Sequence, residues 1–169
     1  GYRAHPCTMT ALAGLALMAA GNTPTEGRYA AQVRRGVDYL LGSATGEGLI
    51  ARKNQDSLMH AHGFAMLFLA QAYGAESDTA RQDRIRRVLE RAIALTGRAQ
   101  SRMGGWYYNP DGRGDEGSVT VTQIQGLRAC RNAGIKVPKS IITRACEYIQ
   151  KSANKDGGIR YRAGQGGAV

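Results

Sequence analysis

The chain has 169 residues, 43% of them hydrophobic, which suits one domain with a packed core and excludes a disordered polymer. Aromatic residues make up 7%, glycine is abundant and β-branched runs are absent, a mixture that favours closely packed helices over a sheet. No run approaches the roughly 18–20 apolar residues of a membrane-spanning helix, and the net charge of +10 leaves an anionic partner open.

In chain order, three apolar stretches end in glycine: Thr10 to Gly21, Gly63 to Gly74 and Thr122 to Gly134. Glycine just past a helix end supplies the left-handed conformation that closes it. Each stretch is followed by a second predicted helix, over Thr25 to Gly42, Thr79 to Gly97 and Pro138 to Ser152. Pro24 and Pro138 suit a first helical turn, and Ser77 or Asp78 caps the middle one. The first helices are apolar nearly all round, as in Leu12 to Ala20 and Phe64 to Ala70, so burial on every side is expected. The second helices are amphipathic, with Val33, Val37, Leu40 and Leu41, or Ile85, Val88, Leu89, Ala92 and Leu95, on one face. Each unit closes on a glycine-rich loop, and Gly48, Gly105 and Gly158 lie 57 and 53 residues apart. The expectation is an all-α fold of three helical hairpins, about 7–57, 58–115 and 116–165, with inner apolar and outer amphipathic helices.

The densest basic group is Arg81, Arg84, Arg86, Arg87 and Arg91. Arg84, Arg87 and Arg91 fall at i, i+3, i+7 with Asp83 and Glu90 nearby, the pattern of a solvated helix face rather than a nucleic-acid site. Cys7, Cys130 and Cys146 show no metal-ribbon spacing and read as buried free thiols. No Walker-type loop, GxSxG or dinucleotide fingerprint is present.

The middle unit reads Arg91-Ala92-x-x-Leu95-Thr96-x-x-x-Gln100-x-x-x-Gly104-x-Trp106. This resembles the QW repeat of squalene and oxidosqualene cyclases. Arg144-Ala145-x-x-Tyr148-Ile149 with Ala153, Gly157 and Ile159, and Arg35-Gly36-x-x-Tyr39-Leu40 with Ala44 and Gly48, keep the same frame. His62-Gly63, the loop Gly104 to Tyr108, and Asp115 to Thr120 resemble a bacterial branch of the same prenyltransferase/squalene cyclase-like superfamily. The resemblance implies an arc of an α/α toroid, with structural roles for Gln100, Gly104, Gly105, Gly158 and Trp106.

The cyclases' Asp-x-Asp-Asp acid cluster is absent, and the Asp-x-Cys pair of protein prenyltransferases is broken, because Gly117 stands at the cysteine place. Cys7 and His60, at comparable helix starts with His5 and His62 nearby, are the candidate zinc ligands. Asn109, Asp111, Asp115 and Glu116 are the oxygen ligands available to Ca²⁺ in a flexible loop. His62, Trp106 and Tyr108 are the candidate ligand-binding residues, His62 as a polar side chain facing the cavity.

Three functions are compatible with these residues. One is a toroid that binds an apolar small molecule or a protein ligand without cyclase chemistry. Another is a terpenoid cyclase or prenyltransferase whose catalytic residues lie outside this segment. The last is a basic interaction module for an anionic partner. A three-unit arc has two apolar edges, and the chain starts at Gly1 and ends in a glycine-rich run just past a unit boundary. The expectation is that these edges meet the remainder of a longer chain or further copies.

Overall fold

The computed structural model describes residues 5–53 and 56–163; the terminal Gly1 and the run 164–169 lie outside them. Six helices follow one another: α1 (Pro6–Ala19), α2 (Ala30–Ser43), α3 (Leu58–Gly74), α4 (Thr79–Arg98), α5 (Gly117–Asn132) and α6 (Lys139–Ser152). The described residues form helices and isolated bridges only, so the fold is all-α. Each odd-numbered helix packs on the even-numbered one that follows it. The odd-numbered helices also pack side by side in the order α1, α3, α5, forming a first row backed by the others.

The apolar composition of the first row makes its close approach possible. Gly14 of α1 faces the Phe68 ring, and Gly126 of α5 sits against the Gly63 carbonyl and Met66, both of α3. Phe68 is fully buried by that arrangement, a burial that stabilises by roughly 1.5–3 kcal/mol. On the second row, α4 turns Ile85, Val88, Leu89, Ala92, Ile93, Leu95 and Thr96 inward, while Arg84, Arg87 and Arg91 are exposed.

Several expectations are corrected in detail. α1, α3 and α5 begin four or five residues before their apolar runs, because residues around His5, Ser57 and Glu116 form the helix entries. Pro24 does not open α2: the Thr23 hydroxyl accepts the Thr25 and Glu26 amides, and this turn delays the helix to Ala30. Asp78 caps α4 by accepting the Arg81 amide. Gly21 and Gly134 have positive φ, but Gly74 does not, and Ala75 ends α3 instead. Burial on every side holds for most of α3 but fails for α1. There Met9, Leu12, Ala13 and Ala16 are exposed, because among the described residues α1 packs on α2 and α3, which lie on its other sides. Cys7 and Cys130 are buried, whereas Cys146 is exposed on α6.

The three loops after α2, α4 and α6 share one hydrogen-bonded ring. Thr45, Ser101 and Asn154 each donate their amide four residues ahead, to the carbonyls of Leu49, Gly105 and Gly158 at 2.8, 2.9 and 2.7 Å. Each also accepts from the amide three residues ahead, that of Gly48, Gly104 or Gly157. The equivalent glycines are therefore Gly48, Gly104 and Gly157, with φ of +102°, +99° and +90°. This shifts the sequence alignment by one residue at Gly105 and Gly158.

Each of the first two loops is seated on the next hairpin. A Cβ on Gly48 would overlap the Arg91 carbonyl of α4, and one on Gly104 would overlap the Arg144 carbonyl of α6. Gln100 fixes the second seat, donating from Nε2 to the carbonyls of Gly104 (2.8 Å) and Ile141 (3.0 Å), and Arg144 donates to the Ser101 carbonyl. Around Gly157 the space is open.

Gly48→Ala and Gly104→Ala are each expected to lower unfolding free energy by about 2–4 kcal/mol, from left-handed strain and overlap together. Gly157→Ala carries the strain alone and is expected to cost about half as much. Urea denaturation of the three variants checks that order; equal losses contradict the seating.

A candidate functional site at the starts of the first-row helices

The entries of α3 and α5 meet through His60. The Ser57 hydroxyl is 2.5 Å from Nδ1 of His60, and Nε2 lies 3.0 Å from the Ser118 hydroxyl. Ser118 Oγ donates to the carboxylate of Glu116 at 2.8 and 3.0 Å. Because that donor is committed to Glu116, Ser118 accepts from His60 Nε2–H, and Nδ1 in turn accepts from Ser57. All three donors therefore point toward Glu116 in one relay. Glu116 is fully buried and also accepts the Ser118 and Val119 amides, so its charge caps the positive end of α5.

Burial lowers the His60 pKa, the Glu116 carboxylate opposes that shift, and nearby His5 adds to it. Ser57 has φ +49°, a left-handed conformation uncommon for a residue with a side chain, and its hydroxyl serves His60 rather than capping α3. Tyr108 completes the site: its ring lies 5.9 Å from the His60 ring and its hydroxyl is 2.7 Å from that of Tyr161. The relay can hold a polar group by hydrogen bonds and accept one proton at His60.

His62 lies elsewhere. It is fully buried: Nδ1 accepts the Ile50 amide (3.1 Å), and Nε2 donates to the Thr96 hydroxyl (3.0 Å). The Thr96 hydroxyl donates onward to the Ala92 carbonyl. Trp106 is also fully buried and donates from Nε1 to the Thr96 carbonyl at 2.8 Å. Its own amide donates to Thr120 of α5, as that of Ile50 donates to His62 of α3. Tyr108 is the one candidate ligand-binding residue of the three that reaches the surface.

Cys7 is buried at the start of α1, beside the Ser43 side chain and the Arg52 backbone, and burial raises its pKa. His60 makes its contacts with Ser57 and Ser118 instead, and among the described residues no group of three or more His, Cys, Asp or Glu side chains is placed to hold a metal ion. Asp111 and Asp115 line a polar pocket with Arg113 and Arg162, while Glu116 is buried in the relay.

Ser57 and Tyr161 were not singled out from the sequence. The signal for Ser57 is its three-residue spacing to His60, a capping-box spacing. For Tyr161 it is its place two residues after Ile159, matching Tyr108 after Trp106.

No family model matches the chain, and no curated protein matches it. No described helix is long and apolar enough to cross a membrane.

Burial lowers the His62 pKa from 6.5 to about 4. The unfolded state therefore binds the additional proton, and stability falls as pH drops from about 6.5 to about 4. Burial shifts His60 in the same direction. His62→Gln is expected to lower the melting temperature at pH 7 and to flatten part of that acid slope. Thermal melts across the window check it; an unchanged slope contradicts the assignment.

Proposed function

We propose that the chain is a QW-type repeat scaffold, an arc of an α/α toroid, that holds an apolar ligand with a polar end along the open face of its first-row helices. The observation that carries this reading is one stripe on α3. His60, Phe64, Leu67 and Gln71 recur at i, i+4, i+7 and i+11, so they share one face of the helix. None of them is fully buried, although most of α3 is.

The stripe is polar at the relay, apolar through its middle and polar again at Gln71. Beside it a groove of about 380 Å³ runs between α3 and α5, lined by Leu67, Ala70, Gln71, Gln125 and Ala129. A small apolar molecule displaces water from such a surface, while the hydroxyls of Ser118, held in place by His60, and of Tyr108 keep capacity for hydrogen bonds to its polar end. The Asp-x-Asp-Asp cluster of the cyclases has no counterpart in the sequence, so the proposed activity is binding rather than cyclisation. Among the candidate ligand residues, Tyr108 stays in this role, and His62 and Trp106 pass to the core.

A fluorescently tagged farnesol tests the reading. Leu67→Asp and His60→Ala, each confirmed folded by circular dichroism, are expected to weaken its binding about tenfold or more, ~1.4 kcal/mol. Undiminished binding in both variants, or no saturable binding by the parent chain, overturns it.

A further inference from the structure

We infer that Ser57 is a nucleophile, activated by His60, that cleaves the carboxylic ester of an apolar molecule lying along the α3 stripe. That molecule is the ligand proposed above, on which this step rests, with covalent chemistry added at its polar end.

The order of donors along the relay carries the assignment. A serine at the entry of a helix ordinarily turns its hydroxyl back on the first amides of that helix. Ser57 makes no such cap, and its hydroxyl donates instead to Nδ1 of His60 at 2.5 Å. The other ring nitrogen, Nε2, donates to Ser118, and Ser118 donates to the Glu116 carboxylate. One nitrogen of the imidazole thus accepts from a hydroxyl, while the other is tied through a single hydroxyl to a negative charge. A nucleophile, its base and an orienting acid need that polarity. Exposure runs in the sense the chemistry needs. Glu116 is fully buried and held by the Ser118 and Val119 amides, whereas Ser57 is only half-buried.

Two features select Ser57 over Ser118 as the attacking group. Ser118 commits its proton to Glu116, so Nε2 of His60 carries a proton of its own and cannot take another. Ser57 also stands at φ +49°, a strained conformation of the kind that clusters at reactive positions. Burial keeps the His60 ring a free base, and the Glu116 carboxylate favours the ring once it is protonated. At the positive end of α3 the Met59 amide is taken by the Tyr108 carbonyl, but those of Leu58 and His60 have no acceptor among the described residues. The Leu58 amide, next to the nucleophile, is the donor available to a developing oxyanion.

In the first step Ser57 Oγ bonds to the ester carbonyl carbon, and its proton passes to Nδ1 of His60. The bond from that carbon to the alcohol oxygen then breaks, and the alcohol leaves with the proton from Nδ1. Water, deprotonated by the same nitrogen, attacks the acyl group on Ser57. The carboxylic acid departs and the serine hydroxyl is restored.

The full chain is assayed with p-nitrophenyl acetate and farnesyl acetate, and labelled with an alkyl fluorophosphonate. Both esters are expected to turn over, the second releasing farnesol, and peptide mass spectrometry is expected to find the phosphonyl adduct on Ser57. Ser57→Gly accepts the left-handed conformation without strain and so keeps the fold. It is expected to lose the adduct and to lower kcat/KM for p-nitrophenyl acetate about a hundredfold or more, as is His60→Ala. Ser118 is a positioning residue. Ser118→Ala is expected to lower kcat and to move the acid limb of kcat/KM to lower pH, because the protonated ring loses its path to Glu116. No adduct on Ser57, turnover undiminished in Ser57→Gly, or an acid limb that Ser118→Ala leaves in place overturns the assignment. Farnesol binding by a chain that forms no adduct overturns this step alone. An adduct on Ser57 in a chain that binds no farnesol overturns the ligand reading and leaves the nucleophile in place.

Discussion

Backbone seated directly on backbone is the contact that the rest of the structure depends on. Gly48 rests on the Arg91 carbonyl and Gly104 on the Arg144 carbonyl, at a separation that leaves no room for a side chain. Both glycines also need positive φ to close the loop ring, so conformational freedom and close approach select the same residue twice. Once the loop is seated, its amide two residues after the glycine reaches the following first-row helix, at His62 in one junction and Thr120 in the other. Its apolar tip, Ile50 or Trp106, then fills the space between hairpins. Each loop thus closes its own hairpin and docks the next one.

The same stacking creates the surface chemistry. Bringing α3 and α5 together in register sets His60 beside Ser118, and the buried Glu116 orders the donors between them. Two residues along α3, His62 turns to the opposite side of the helix and serves the core. One histidine is therefore an open-face hydrogen-bonding group and the other an internal strut, although they are separated by Ala61 alone. Burial holds both pKa values down, which suits neutral imidazoles acting as donor and acceptor at once.

Much of the fold was legible because its signals are local. Apolar periodicity marked six helices, and the recurring loop marked three hairpins. The entries of α1, α3 and α5 were placed late, since their first turns hold polar residues whose partners lie on other elements. The one-residue misalignment at Gly105 arose because adjacent glycines look alike in sequence, and only the hydrogen-bonded ring separates them. Of the candidate site, His60 and Tyr108 were found by type and position. Their relation to Ser118 and Glu116 depends on how two helices stack, which spacing along the chain does not encode. The exposed face of α1 escaped notice for a different reason. Its composition is that of a buried helix, and what uncovers it is the absence of a neighbouring hairpin in the described chain.

If seating on a following hairpin is what stabilises each loop, three loops with the same internal hydrogen bonds should differ in stability. Hydrogen–deuterium exchange on the 169-residue chain tests this most directly. The account predicts that the amides of Asn154 and Gly157 exchange at least about tenfold faster than those of Thr45, Gly48, Ser101 and Gly104. Equal protection in all three loops would mean that each is stable on its own hydrogen bonds, and it would contradict the account.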